Sequence, residues 1–368
     1  MSDSKTNLLG LDKKGLQGFF AEMGEKPYRV TQLMKWIYHR HVVDFDDMTD
    51  LSRACREKLH AQAEIRLPEI AYEQWSSDGS CKWLMRMSCG NSVETVYIPE
   101  SGRSTLCVSS QIGCALDCSF CSTARQGFNR NLTAAEMVGQ LYLTNQILRN
   151  KPETADRRVT NIVMMGMGEP LLNVRPLVPS LSLMLDDLAF GLSKRKVTVS
   201  TSGIIPAMDR LKAEIDVSLA VSLHAANDTL RNELMPINRK YPVAELMQAC
   251  RRFVETDHKK HIMFEYVLLA GVNDQPEHAR ELAKLLRNFP CKVNLIPFNP
   301  FQGSGYQRSD NAAIDRFWNI LNRAGIRTLK RATRGDDIDA ACGQLAGELT
   351  DRSRRYRKFQ EQRFGEQR

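Results

Sequence analysis

The chain has 368 residues, 42% hydrophobic and 26% charged, an ordinary globular mixture that excludes a fibrous repeat or a largely disordered chain. An excess of 51 Lys and Arg over 43 Asp and Glu gives a formal net charge of +8, which favours a polyanionic partner. The sequence contains neither a secretion signal nor an apolar run long enough to cross a membrane, so we expect a soluble, cytoplasmic protein whose ten cysteines are reduced.

The first 95 residues combine helical and alternating patterns, which predicts a small N-terminal accessory domain. Apolar residues at helical spacing indicate two helices, the first of which begins at Pro27. Alternating polarity around Cys89 indicates a β-hairpin. The predicted elements are helices over 28–39 and 51–63 and strands over 82–88 and 92–99.

Residues 96–345 alternate short apolar runs with longer amphipathic segments. This pattern is typical of βα units around a parallel sheet, so we predict an α/β fold built on an incomplete (β/α)6 barrel. In such barrels the functional residues lie at the carboxyl ends of the strands. Strands are predicted over 104–110, 160–166, 196–201, 216–223, 262–269, 292–298 and 326–331, with helices that include 134–148 and 243–255.

The first barrel strand is followed by a CxxxCxxC motif, formed by Cys114, Cys118 and Cys121. Three thiolates can hold a [4Fe–4S] cluster and leave one iron open to a small molecule. A structural zinc site needs four ligands, so zinc completed by Cys107 or a histidine is the alternative. With the aromatic Phe120 before the third cysteine, the motif resembles radical S-adenosylmethionine (SAM) enzymes, in which the open iron binds SAM and reduction releases a 5′-deoxyadenosyl radical.

Polar residues follow several later strands. The second strand ends in MGMGEP, whose Gly168 and Glu169 resemble the glycine-rich motif that contacts the SAM amino group, since glycine permits close backbone approach. A single histidine at a strand end is more often structural, so the positions carry weight only as a group. By the same resemblance the SAM pocket is lined by Ser200, Ser222, Leu223, His224 and Asn299.

The resemblance extends to the RlmN/Cfr family of radical SAM RNA methyltransferases. It is carried by TLCVSSQIGCALDCSFCSTARQGFNRNL, MGMGEP, VSLHAAND and GDDIDAACGQL, and it covers nearly the whole chain. It implies methylation of carbon 2 of adenine 2503 in 23S rRNA and of adenine 37 in tRNA. It also implies one [4Fe–4S] cluster, two SAM molecules per turnover and an external electron donor of the ferredoxin or flavodoxin type. We expect a monomer with no membrane partner.

The family also implies a role for two further cysteines. Cys342 would take a methyl group from one SAM, lose a hydrogen atom to the radical from a second SAM, and join its carbon to the adenine. Glu94 would deprotonate the adduct, and Cys107 would attack the sulfur of Cys342 to release the product and leave a disulfide. The polar sequence around Cys342 suggests a mobile loop.

Several alternatives stay open at this point. Cys342 could be a buried packing residue, and Glu94 could be an outward strand residue. A related methyltransferase acts on carbon 8 of adenine, and a zinc-bearing RNA-binding protein would need no catalysis. The remaining cysteines are expected to be packing residues: Cys55, Cys81, Cys89, Cys250 and Cys291.

The predicted tail, residues 346–368, is strongly basic. A solvated basic helix is the ordinary interpretation, but with an RNA substrate implied we favour phosphate contact. The cations are Arg352, Arg354, Arg355, Arg357, Lys358, Arg363 and Arg368.

Overall fold

The computed structural model describes residues 5–255, 257, 260–301 and 303–346. The predicted basic tail lies outside the described residues, apart from Ala346. None of the helices in these ranges combines the length and the apolar character that a bilayer crossing requires.

A unit of three helices forms the N-terminal part of the chain. Its elements are β1 (Thr6–Asn7), α1 (Lys13–Glu22), α2 (Tyr28–Met34), a π-helical turn (Lys35–His39), α3 (Arg53–Gln62) and β2 (Ala63–Glu64). Pro27 precedes α2 as predicted, and the Ser52 hydroxyl caps α3 by accepting from the Cys55 amide. The unit has its own core, which also takes in Val138 and Tyr142 from a barrel helix and thereby fixes the unit to the barrel's outer face.

One ten-stranded sheet organises the rest of the described chain. The strands after β2 are β3 (Glu69–Trp75), β4 (Cys81–Arg86), β5 (Ser92–Glu100), β6 (Arg103–Cys107), β7 (Gln111–Gly113), β8 (Phe128–Asn131), β9 (Asn161–Met164), β10 (Val197–Thr201), β11 (Ser218–Ser222), β12 (Ile262–Leu268), β13 (Cys291–Pro297) and β14 (Thr328–Lys330). Strands β6 and β9 to β14 are parallel neighbours in chain order. Six βα units and a seventh strand agree with the predicted incomplete barrel. Within the described residues the sheet stays open, because its order ends at β14 on one side and β3 on the other.

Helices alternate with the parallel strands, as the sequence predicted. They are α4 (Ser122–Arg125), α5 (Ala134–Asn150), α6 (Val174–Leu185), α7 (Ile205–Glu214), α8 (Asp228–Leu234), α9 (Val243–Val254), α10 (Pro276–Leu285) and α11 (Asn311–Arg323). Short 3-10 helices lie at Leu8–Gly10, Phe45–Asp47, Pro152–Thr154, Pro170–Asn173, Lys194–Lys196, Pro236–Arg239 and Asp336–Ile338. Thr133 and Glu136 form a capping box at the start of α5, which satisfies backbone donors that the helix leaves free.

The predicted hairpin exists, but it belongs to the barrel sheet. Strands β3, β4 and β5 continue the sheet antiparallel from β6, with Val96 opposite Cys107. Trp83 and Tyr97 are therefore in the barrel core. Apart from residues that later helices contribute, the buried core of the N-terminal unit extends only as far as Ala63. Packing thus places the boundary between the N-terminal unit and the barrel near residue 65, whereas the sequence predicted it near residue 95. The hairpin belongs with the barrel because it buries its apolar face against the sheet that it pairs with.

Candidate active site

The loop between β7 and α4 holds Cys114, Cys118 and Cys121, all free thiols. The pKa of Cys118 is raised well above its ordinary value, mainly by burial and further by the neighbouring Cys121 and Cys114. The three thiols therefore lie near enough to influence one another, with Cys114 buried and Cys118 and Cys121 half-buried.

The donor set of the loop suits an iron–sulfur cluster. Three thiolates can hold a [4Fe–4S] cluster and leave one iron open, whereas a structural zinc site needs four ligands. Among the described residues, Asp44, Asp46 and His60 form a separate, exposed group whose ligand atoms all lie within 4.8 Å of one another.

The cysteine loop is held in place by α8 and by the segment after β13. The Ser119 amide donates to the Leu234 carbonyl at 3.1 Å, and the Tyr306 hydroxyl donates to the Ser119 hydroxyl at 2.8 Å. At its end, Arg125 donates to the Ser304 carbonyl at 2.9 Å and stacks over the Phe301 ring. These contacts fix the backbone that carries the thiols.

The glycine turn after β9 packs against the segment that leads to the cysteine loop. Gly168 has a φ of +94°, and a Cβ added there would lie 2.4 Å from the Gln111 Cβ, so only glycine fits. The Glu169 carboxylate accepts hydrogen bonds from the Leu171 amide and from the Ser202 amide and hydroxyl. These bonds tie the glycine turn to the segment that follows β10.

Strands β10 and β11 end at the same side of the sheet as the cysteine loop. Ser200 and Ser222 lie at the carboxyl ends of these strands and are partly exposed, while Leu223 is buried. Arg231 of α8, which the sequence gave no reason to select, is 1% exposed and binds this region together. Its guanidinium donates to the carbonyl groups of Ser202, Ser222 and Leu223 and to the Asn238 side chain.

His224 is buried and adopts a left-handed backbone conformation, with a φ of 59°. Its Nδ1 accepts from the Val267 amide at 2.9 Å, and its ring meets Phe120 edge to face at 4.8 Å. Burial, together with the charge of Arg231, lowers the pKa of His224 to about 3. The ring is therefore neutral, and with Nδ1 as acceptor its proton sits on Nε2 as a donor.

Cys342 lies in a loop that contacts two other segments. The side-chain amide of Asn299 donates to the Cys342 carbonyl at 3.4 Å, and the backbone amide of Ser122, next to Cys121, donates to the Gly343 carbonyl at 2.8 Å. Small side chains such as Ala341 are buried there because they permit close packing. The loop thereby joins the carboxyl end of β13 to the cysteine loop.

Glu94 is buried on β5, so the alternative of an outward strand residue is wrong. Its Oε2 accepts from the Ala346 amide at 2.8 Å, and Lys82 lies 3.3 Å from its Oε1. Burial raises the pKa of Glu94, although Lys82 and the Ala346 amide oppose this. The sequence analysis did not select Lys82. The β4–β5 register places Lys82 diagonally opposite Glu94, so the predicted hairpin could have indicated this ion pair.

Cys107, at the end of β6, is 5% exposed. Burial, and next the nearby Cys342, raise the pKa of Cys107 to about 12, and Arg331 opposes them. Arg331 was not selected from the sequence. It lines a small cavity of about 20 Å³ together with Cys342 and Asn299. The two cysteines that the sequence assigned to chemistry therefore lie near each other and near one cation.

Of the five cysteines expected to pack, Cys89 differs. Cys55, Cys81 and Cys250 are buried and Cys291 is half-buried, whereas Cys89 is exposed in the turn between β4 and β5. Its sulfur accepts from Arg130 at 2.9 Å. Because Cys89 is exposed, the packing role predicted for it is wrong.

Comparison with known proteins agrees with this arrangement. Residues 6–65 match the family "Ribosomal RNA large subunit methyltransferase N-terminal domain", and residues 108–284 match the "Radical SAM superfamily". The dual-specificity RNA methyltransferase RlmN of Pseudomonas fluorescens is 56% identical over 359 residues, which cover 97% of this chain and 94% of that relative. A crystal structure of a radical SAM methyltransferase from Sphaerobacter thermophilus is similar at a TM-score of 0.86 and 43% identity, over 92% of this chain and 99% of that one.

Proposed function

Because the chain belongs to the RlmN family of radical SAM RNA methyltransferases, we propose that it methylates carbon 2 of adenine in two RNAs, 23S rRNA and tRNA beside the anticodon. The observation that carries the proposal is that Cys107 lies near Cys342, in a loop that contacts both the cysteine loop and, through the Ala346 amide, Glu94. A scaffold that only bound RNA would not require two nearby thiols and a buried carboxylate at this end of the barrel.

The target atom explains why the protein needs a methyl carrier. Carbon 2 lies between two ring nitrogens and is electron-poor, so it cannot displace a methyl group from a sulfonium by direct attack. When bound, the [4Fe–4S] cluster held by Cys114, Cys118 and Cys121 and a SAM molecule supply an electron and a 5′-deoxyadenosyl radical. The remaining steps fall to side chains of this chain.

Cys342 acts as the carrier. Its thiolate takes the methyl group of one SAM by displacement at carbon, and the bound methyl then loses a hydrogen atom and joins carbon 2 of the adenine. The adduct gives up one electron, for which the oxidised cluster would be the acceptor, and one proton, which Glu94 accepts. A carboxyl whose pKa is raised by burial suits that role, because it can exchange protons nearer to neutral pH.

Cys107 releases the product. Its thiolate attacks the Cys342 sulfur, the sulfur–carbon bond breaks, and the freed carbon takes up a proton to become a methyl group. The two cysteines end as a disulfide, which a cellular thiol must reduce before the next turnover. This cycle consumes two SAM molecules and draws electrons from a ferredoxin- or flavodoxin-type donor. We also propose that the enzyme is a monomer and works in the reducing cytoplasm.

The proposal is tested with anaerobically reconstituted protein, RNA transcripts and SAM labelled in its methyl group. We expect Cys342→Ala to form no methylated RNA while it still cleaves SAM, and Cys107→Ala to accumulate protein cross-linked to RNA. The half-buried Cys291, at the start of β13, provides the control Cys291→Ala, which should behave like the unaltered protein. Normal methylation by both variants would refute the two-cysteine cycle, and mass-spectrometric mapping of the label to carbon 8 would refute the proposed target atom.

A further inference from the structure

The segment that follows β14 joins the two edges of the open sheet. Strand β14 lies at one edge, and β3, with the turn that leads to β4, lies at the other. The Gly335 amide donates to Asp78 Oδ2 in that turn at 3.1 Å, across 257 residues of sequence. The Ser77 amide donates in return to Asp337 Oδ2 at 3.0 Å. These two bonds fasten the Cys342 segment, residues 334–346, to the β3–β4 turn.

The Cys342 segment runs from this turn to the cysteine loop. Before Cys342, the Lys82 ammonium of β4 donates to the Asp339 carbonyl at 3.3 Å. After Cys342, the Thr123 hydroxyl of α4 donates to the Leu345 carbonyl at 2.7 Å. Cys342 therefore lies between two anchored stretches, one held by the β3–β4 hairpin and the other held beside the cysteine loop.

The Asp78 carboxylate holds backbone amides of two different segments. Its Oδ1 accepts from the Ser80 amide at 2.8 Å within its own turn, which leaves Oδ2 for the Gly335 amide. The Arg334 guanidinium lies 3.8 Å from the same Oδ2. Burial alone would raise the pKa of Asp78, but these hydrogen bonds, first the one from the Ser80 amide, lower it to about 2. The carboxylate is therefore ionised at working pH and can accept both bonds at once.

We propose that Asp78 is a positioning residue that holds the Cys342 segment against the hairpin and thereby keeps Cys342 within reach of the methyl group of SAM. A thiolate displaces a methyl group only in line with the sulfonium, with the reacting atoms about 3–3.5 Å apart. A segment that is in place for a fraction of the time reacts at a rate reduced by that fraction. The sulfonium–carbon bond breaks as the bond from sulfur to the methyl carbon forms, and Asp78 exchanges no proton. This inference rests on the proposed function, which makes Cys342 the methyl carrier.

The test uses Asp78→Asn, which keeps the size of the side chain. Asparagine offers one oxygen acceptor, and the Ser80 amide in the same turn is the nearer partner, so the Gly335 amide loses its acceptor. With anaerobically reconstituted protein and SAM labelled in its methyl group, we expect methyl uptake on Cys342 to slow about tenfold. Reductive cleavage of SAM to 5′-deoxyadenosine should keep its rate, because the cluster ligands lie in another segment. Asp209→Asn, which alters an exposed carboxylate paired with Arg252, is the matched control and should change neither rate.

Hydrogen exchange of the Cys342 segment gives a second measurement, without SAM or RNA. We expect the peptide 334–346 to exchange about tenfold faster in Asp78→Asn, as read by mass spectrometry. Asp337→Ala breaks the other bond from the segment's side and leaves the β3–β4 turn intact, so it should act in the same direction should Asp78→Asn fold poorly. A general loss of packing would also slow SAM cleavage and speed exchange in strands such as β12. The inference is overturned if either methyl uptake or exchange in Asp78→Asn matches that of Asp209→Asn.

The two measurements separate this inference from the proposed function. If Cys342 of the unaltered protein acquires its methyl group and Asp78→Asn does so equally fast, the inference fails alone. If the unaltered protein never acquires a methyl group on Cys342, the proposed function fails and the role of Asp78 in methyl uptake fails with it. Faster exchange in Asp78→Asn would in that case still show that Asp78 holds the Cys342 segment in place.

Discussion

Arg231 supports the strand ends of the site, and replacing it with methionine should cost the fold substantial stability. The guanidinium donates four hydrogen bonds of 2.7 to 3.1 Å, three of them to the carbonyl groups of Ser202, Ser222 and Leu223. Such charge-assisted bonds each contribute about 1.5–3 kcal/mol, and burying the charge cancels part of the sum. Methionine fills much of the space but removes the donor that these four acceptors share, so we expect a loss of about 3–5 kcal/mol in the free energy of unfolding.

The loss can be measured by guanidinium chloride unfolding and by thermal melting of the anaerobic protein. At about 2–4 °C per kcal/mol for a domain of this size, the melting temperature should fall by roughly 6–20 °C. Arg239, an exposed arginine just beyond α8, provides the matched control Arg239→Met, which should change stability by less than about 0.5 kcal/mol. A loss below about 1 kcal/mol in Arg231→Met, or one equal to that of the control, would show that Arg231 does not hold the strand ends together.

Gly168→Ala should lose about 1–3 kcal/mol more stability than Gly271→Ala, because both positions have positive φ but only Gly168 would clash, with Gln111; chemical unfolding measures both. The pKa of His224 is about 3 in the folded protein against 6.5 ordinarily, so acidification favours the unfolded chain, in which the ring takes up a proton. On going from pH 7 to pH 5, the unaltered protein should therefore lose about 2 kcal/mol more free energy of unfolding than His224→Asn. Glu94→Gln should slow RNA release from the cross-linked state by about 10²- to 10⁴-fold while methylation of Cys342 continues, as quenched-flow sampling with mass spectrometry would record.

Each of these expectations can fail separately. Equal losses in the two glycine variants would mean that Gln111 moves aside at no cost. A parallel pH dependence of stability in His224→Asn would mean that the unaltered ring is protonated in the folded state, since a group with a lowered pKa contributes its stability above pH 6.5 and loses it toward pH 3. Undiminished release in Glu94→Gln would assign the proton transfer to another group.

The sequence was most informative where local pattern decides structure. Period-two and period-3.6 patterns placed the parallel strands and most helices, and the cysteine spacing placed the cluster loop, because both signals are short in range. The two-glycine segment of α1 and the exposed strand β3 gave weak patterns and were not predicted. The hairpin was predicted but assigned to the wrong neighbour, since which sheet a hairpin joins depends on long-range packing.

The candidate site was predictable only in its reactive residues. The family motifs pointed to Cys107 and Cys342, but nothing local marked Arg231 or Arg331, whose importance arises from carbonyls and thiols brought in by other strands. The Glu169 side chain is engaged with Ser202 inside the protein, a contact that the motif did not reveal. Buried polar groups must find partners, and those partners come from elsewhere in the chain.

The loop that carries Cys342 joins segments that lie far apart in the chain. The Ala346 amide reaches Glu94 across 252 residues of sequence, and the Gly343 carbonyl binds the segment next to Cys121. Because N-terminal segments leave the ribosome first, the strands and the cysteine loop can assemble before this loop emerges. The contacts that Glu94 and the cysteine loop make with this segment therefore form only after the central strands have been synthesised.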